Sequence, residues 1–545
     1  MSANSQSAAD VIDDIQTTAI SPNGLVCFTN CLLAQEDGSL VQKDLWIDER
    51  RGVILDSQRT FFLRKERPDT VIDLGGNILS PGLLDIQING AYGFDFSIYN
   101  EDDEAYREGL DMIARRIVET GVTSLLPTII TQDGSLYPRL LRLLRPHSPT
   151  PSDEYPNGGA TLLGWHAEGP FISPTKRGAH ALPFLRDAPR GIEDFESVYG
   201  SDALAHHEDW VLQADSNTGG IGVRMVTLAP ELPGILSRDT DVIGNLTKSG
   251  VCVSIGHSVS GTDTAARAVR RGARMVTHLF NAMPQLHHRD PGIIGLLGAS
   301  PASLVASSGL KKKHTKSQSS SEDAVAIASP TGTATPNVAG TSFAGAGAVE
   351  TVEAGGAEAL DENDTPPHTP IFRSSPEQLV VQNIDSKLDD VQKIDAKRPF
   401  YGMIVDGVHS HPNSVRLAYT AYKEGCILVT DAMKILDPNM PNGTYDWRDG
   451  RRVVKEGVRL YIEGTDTLAG SVVTLDTCVR NFVRFTGATL GEALKCATYN
   501  PARCLNIETK KGTLRPGADA DLVVLNKEGQ VLSTWVRGRR VWKRS

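Results

Sequence analysis

A chain of 545 residues with 40% hydrophobic and 22% charged side chains has ordinary globular composition and enough apolar surface for a large core. Its formal charge of −11 argues against a nucleic-acid surface, which needs clustered Lys and Arg, and no apolar run approaches the roughly 20 residues that cross a bilayer. The first twenty residues carry Asp10, Asp13 and Asp14 but no basic side chain, unlike a secretion signal, and seven cysteines without a Cys-x-x-Cys pair suit buried thiols in a reducing cytoplasm.

In chain order, residues 1–20 read as a disordered N-terminus. Residues 21–80 hold short strand-like pieces broken by turns and are expected to form the first part of a β-sandwich. Eight short apolar runs follow at 83–87, 123–127, 162–166, 223–228, 251–255, 275–278, 402–405 and 426–429. Helix-like patterns lie between several of them, at 104–120, 260–272 and 411–424, and two more follow at 471–485 and 489–498. Eight alternating strands predict a TIM-like (β/α)₈ barrel over 81–307 and 398–508, with an open doubly wound sheet as the alternative. Residues 509–545 repeat the texture of 21–80 and are expected to complete the same β-domain.

One stretch interrupts the pattern. Residues 308–397 are rich in Ser, Thr, Ala, Gly and Pro, open with Lys311, Lys312 and Lys313, and have no Lys or Arg between 319 and 372. Such composition cannot offset its ordering entropy, so it reads as a disordered insertion between the sixth and seventh barrel strands. Its Ser-Pro and Thr-Pro pairs, at Ser329, Thr335, Thr365, Thr369 and Ser375, are candidate phosphorylation sites, though such composition yields these pairs freely.

Barrel enzymes place reactive groups at the C-terminal ends of strands. Four ends stand out here: His166-Ala167-Glu168, Gly256-His257, Thr277-His278 and Thr430-Asp431. A carboxylate and two imidazoles from separate strand ends could converge on a single metal and leave a position for water, with Asp431 facing that water. Taken singly, each is more often a satisfied core or capping residue. The coincidence at four strand ends favours the metal reading.

The stretches SPGLLDIQINGAYGFDFS (80–97), LLGWHAEGPFISPTKRGAH (162–180), VSIGHS (253–258), THLFNAMP (277–284), HHRDPGIIGLLG (287–298), YGMIVDGVHSHP (401–412), LVTDA (428–432), TLAGS (467–471) and GTLRPGADADLVVLN (512–526) resemble the N-acetylglucosamine-6-phosphate deacetylase family of the amidohydrolase superfamily. The resemblance implies that Glu168, His257 and His278 bind a divalent metal, zinc or else iron, cobalt or manganese, and that Asp431 is the general base. It further implies that His180 meets the substrate carbonyl. Asn281, Ala282, Arg289 and His409 would surround the sugar phosphate, with Arg289 reaching in from a second subunit, which implies a homodimer. Many amidohydrolases carry His-x-His at the end of strand one for a second metal. Here the run is Asp85-Ile86-Gln87-Ile88-Asn89, so one metal per subunit is expected.

Two other functions compete: hydrolysis of a different N-acyl substrate, against which Arg289 and His409 argue, and an inactive barrel serving as a binding scaffold, against which the complete residue set argues. Cys252 reads as a packed strand thiol, His166 is expected on the strand face opposite Glu168, and the roles of His287 and His288 stay open.

Overall fold

The computed structural model describes residues 21–149, 156, 158–204, 222–237, 240–300, 304 and 398–545. The N-terminal 1–20 segment and the whole 308–397 insertion, with its Lys cluster and Ser/Thr-Pro pairs, lie outside these residues.

Eight parallel strands form the barrel: β1 Leu83–Ile88, β2 Val122–Ile130, β3 Trp165–Glu168, β4 Val223–Leu228, β5 Cys252–Ile255, β6 Met275–Val276, β7 Phe400–Ile404 and β8 Cys426–Val429. Each pairs with the next in chain order, so no strand order reverses and the doubly wound alternative does not apply. The strands are buried along their whole length, as parallel strands covered on both faces must be. The third strand sits later than expected: Thr161–Leu162 pairs with the early part of β2 alone, and the barrel strand runs to Glu168 itself.

The seam between β8 and β1 is closed by individual bonds. The Asp431 N–H donates to the Gln87 carbonyl at 2.8 Å, and the Thr430 hydroxyl donates to the Asp85 carboxylate at 2.6 Å. Asp85 is fully buried there, and also accepts the Gln87 N–H.

The helices follow from local chemistry. In Asp103–Arg116, Asp102 caps two N–H groups, acids occupy the first turn and Arg115 and Arg116 the last. Tyr106, Leu110, Ile113 and Ala114 fall on its buried face, the 3.6-residue period pressed on the barrel. The pattern seen to 120 tightens into a 3₁₀ turn and ends at Gly121, whose φ of 81° favours glycine.

The two chain ends share one six-stranded sheet, in which Leu522–Leu525 pairs with Ile78–Pro81 and Val531–Val536 lies beyond it. A four-stranded sheet containing Leu25–Thr29 packs on it through Phe28, Ile47, Leu522 and Trp535. Neither end could bury this core alone. A three-stranded antiparallel sheet, Gly443–Asp446, Arg452–Glu456 and Arg459–Ile462, is an addition that sequence patterning did not reveal.

Candidate active site

Glu168, His257 and His278 leave the ends of β3, β5 and β6 and meet in the barrel mouth. Glu168 Oε1 lies 3.2 Å from His257 Nε2 and 3.0 Å from His278 Nε2, and the two nitrogens are 3.0 Å apart. His257 Nδ1 lies 2.8 Å from the Lys176 carbonyl, which can only accept. That bond puts the proton on Nδ1 and leaves an Nε2 lone pair facing a carboxylate oxygen and a second imidazole. A carboxylate oxygen and two imidazole nitrogens converge at distances close to the roughly 3.3 Å that separates donors around a divalent ion with bonds of about 2.0–2.1 Å. A divalent metal therefore fits this donor set. Burial opposes ionisation of Glu168, yet the neighbouring imidazoles of His257 and His278 hold its carboxyl well below the usual range.

His180 offers a further nitrogen within 4.8 Å of Glu168 and His257. Its Nδ1, however, accepts the Thr131 backbone N–H at 3.3 Å and lies 2.8 Å from the Thr131 hydroxyl. Nε2 must then carry the proton, which makes His180 a donor and not a ligand. Burial, followed by the neighbouring His257, holds its pKa well below the usual imidazole value, so the ring is neutral.

Asp431 follows β8. Asn89 Nδ2 donates to its Oδ1 at 2.6 Å, and Gln87 Nε2 bridges Glu168 at 3.1 Å and Asp431 at 3.4 Å. The two carboxamides standing where a His-x-His pair would be thus act as hydrogen-bond donors to the site carboxylates. Burial and the nearby Glu168 charge push the Asp431 pKa up to about 6. His257, His278 and Asp431 all have left-handed backbone, with φ of 47°, 25° and 47°. Non-glycine residues adopt it at a cost of order 1–3 kcal/mol, a strain found where function over-determines geometry.

Asn281, Ala282 and His409 line the same chamber as Glu168, His257 and His278, a space of about 200 Å³. Asp406 orients His409: its Oδ2 is 2.6 Å from His409 Nδ1, and its Oδ1 accepts the N–H groups of Val408 and His409. Arg289 is exposed and does not line the chamber of its own chain. His287 and His288 are exposed beside it, their rings 4.4 Å apart. A larger cleft of about 770 Å³ runs between Leu33–Trp46 and Thr513–Pro516 on the end-domain, and none of its described lining residues is a histidine.

His166 corrects one expectation. Residues two apart in a strand share a face, so His166 lies on the side of Glu168 and not opposite it. It is fully buried, with Nε2 2.7 Å from the Thr227 hydroxyl, at one end of a hydroxyl chain through Thr277 to Ser254. Thr131, Asp406 and the wall residues Met433, Trp447 and Leu468 escaped sequence reasoning. Only Asp406 left a signal, an Asp three residues before His409 in an Asp-Gly turn.

Barrels that gather a carboxylate and imidazoles at their strand ends around a cation, with a free carboxylate beside it, are metal-dependent hydrolases of the amidohydrolase type, and residues 374–541 match the amidohydrolase family. The chain is 35% identical to N-acetylglucosamine-6-phosphate deacetylase of Bos taurus, over 95% of this chain and 96% of that one, and 35% identical to that of Homo sapiens, over 95% of each. Among solved structures it resembles N-acetylglucosamine-6-phosphate deacetylase of Pasteurella multocida, with a TM-score of 0.61 at 22% identity, covering 95% of this chain and 100% of that one. The chain belongs to the N-acetylglucosamine-6-phosphate deacetylase family.

Proposed function

We propose that the protein hydrolyses N-acetylglucosamine 6-phosphate to glucosamine 6-phosphate and acetate, as a step of amino-sugar breakdown in the cytoplasm. The observation that carries this reading is the meeting of Glu168, His257 and His278 within 3.0–3.2 Å beside Asp431 and a protonated His180 Nε2. The seven free, buried thiols suit the cytoplasmic setting.

Glu168, His257 and His278 would hold one divalent ion per subunit, zinc by donor chemistry, with the amide nitrogens of Gln87 and Asn89 donating to the site carboxylates. When bound, such an ion lowers the pKa of water from about 15.7 toward about 7 and polarises a carbonyl. Asp431, held through Oδ1 by Asn89, has Oδ2 available to take the proton from the attacking water. It then returns that proton to the leaving amine nitrogen. His180 Nε2–H donates to the carbonyl oxygen as negative charge grows there. A neutral donor suits this task because the Thr131 bond sets its tautomer in advance.

Asn281, Ala282 and His409 would receive the sugar phosphate, with Arg289 supplied by a second copy of the chain. The exposure of Arg289 outside its own chamber supports that reading, as does the family's resemblance in HHRDPG. We further assign 21–80 and 509–545 to one β-domain, 81–307 and 398–508 to the barrel, and 308–397 to an insertion.

The test is acetate release from N-acetylglucosamine 6-phosphate by purified enzyme, with and without a chelator. Release that stops on chelation and returns with a divalent ion is expected. No release from metal-loaded enzyme would overturn the reading.

A further inference from the structure

A second cavity of about 260 Å³ stands back to back with the reaction chamber, sharing Ile130, Ala179 and Trp447 as its walls. His180 lies at the partition: its ring lines the chamber, while Thr131, bonded to its Nδ1, lines the second cavity.

The lining is cationic. Arg448 and Arg451 both contribute, Gln132 and Ser97 add polar groups, and none of the described lining residues is acidic. The Arg448 side chain is 5% exposed, and its Nε and Nη2 clamp Asp95 in a bidentate pair. Its Nη1 is buried without a hydrogen-bond partner among the described residues. Asp95 thus fixes the guanidinium, and the part of Arg448 that lines the cavity presents positive charge to a small anion there. Arg451 stacks 4.7 Å from the Trp447 ring centroid, so the second cation stands on the shared wall.

Amide hydrolysis releases one carboxylate and one amine from a neutral bond. The phosphate-side residues Asn281, Ala282 and His409 come from the loops after β6 and β7, whereas the second cavity is built from loops after β1, β2 and β3 and from the three-stranded addition. The acid and the phosphorylated amine thus have separate places to go.

We propose that this cavity is a binding site for a small carboxylate, the class to which the released acid belongs. The assignment of the acid as the natural occupant rests on the deacetylase reading above. The site itself does not.

The experiment uses metal-loaded enzyme saturated with glucosamine 6-phosphate, so that the reaction chamber is filled, and titrates ¹³C-acetate by NMR. Acetate is expected to bind under these conditions. Arg451→Met and, separately, Gln132→Leu should weaken it, the arginine variant by roughly tenfold or more, with turnover at low product within about twofold of wild type. Acetate inhibition that is non-competitive with substrate identifies the released acid as the occupant. Propionate or lactate bound equally well, with turnover untouched, identifies a carboxylate drawn from solution, and either result supports the site. Equal acetate affinity in wild type and both folded variants, or strict competition with the sugar phosphate, overturns it. Loss of deacetylation with acetate binding intact would remove the catalytic reading alone.

Discussion

Asp431 is pulled in opposite directions by its surroundings. Burial and Glu168 favour its neutral form and raise its pKa to about 6, while His278, His409 and the Asn89 bond favour the carboxylate. A base must be ionised to act, so kcat/KM should fall as pH drops through about 6 or lower, because a bound cation adds further support to the anion. Asp431→Asn should keep the metal, measured by elemental analysis, while kcat falls by roughly 10²–10⁴-fold. Near-normal turnover in that variant would remove Asp431 from the base role. His409 depends on its neighbour in another way. Asp406→Ala frees the ring that Asp406 holds at 2.6 Å, so KM for the phosphorylated sugar should rise roughly tenfold. Hydrolysis of the unphosphorylated sugar should hardly change. A parallel loss on both substrates would mark Asp406 as merely structural.

Among elements, the strand ends were the most legible. Short apolar runs with a polar residue at the end announce where a barrel opens, and β1, β4 and β8 lie within a residue of their expected bounds. β3 shifted because LLG extends the apolar run ahead of the true strand at Trp165, and only pairing with β2 and β4 distinguishes them. The three-stranded addition at 443–462 escaped because its sides are largely exposed and charged, with Val453 and Leu460 alone fully buried among its strand residues, so no apolar alternation marks it. The β8/β1 seam carries the prediction at this scale. Asp85→Ala leaves the Thr430 hydroxyl and buried N–H groups unpaired and should cost roughly 2–4 kcal/mol in urea unfolding. Burial raises the Asp85 pKa to about 7, so the fold favours its protonated form. Its contribution is therefore complete at low pH and lost as pH rises through about 7, and the stability of wild type relative to Asp85→Asn should decline across that window. A constant difference would show that Asp85 does not titrate there.

At the scale of the whole molecule, the chain passes from Gly298 to Phe400 across the insertion, between the loops carrying Arg289 and His409. Replacing residues 311–396 with a short Gly/Ser linker should preserve folding and kcat, since that composition offers little core and loop closure costs only about 0.6 kcal/mol per doubling of length. A linker protein that binds metal but releases no acetate would show the segment to be part of the site. By itself, the sequence determined the barrel, the end-domain and the kinds of group at the strand ends, because βα alternation forces the C-terminal ends of all eight strands to one mouth. Only the tertiary structure decided which nitrogen of each imidazole is engaged. A backbone N–H of Thr131, 49 residues away, meets His180 Nδ1, while His278 Nε2 faces Glu168. The same holds for Asp406 behind His409, Gln87 and Asn89 between the carboxylates, and Arg448 over its cavity. Tautomer, orientation and unmet hydrogen bonds are set by partners that come together only when the chain folds.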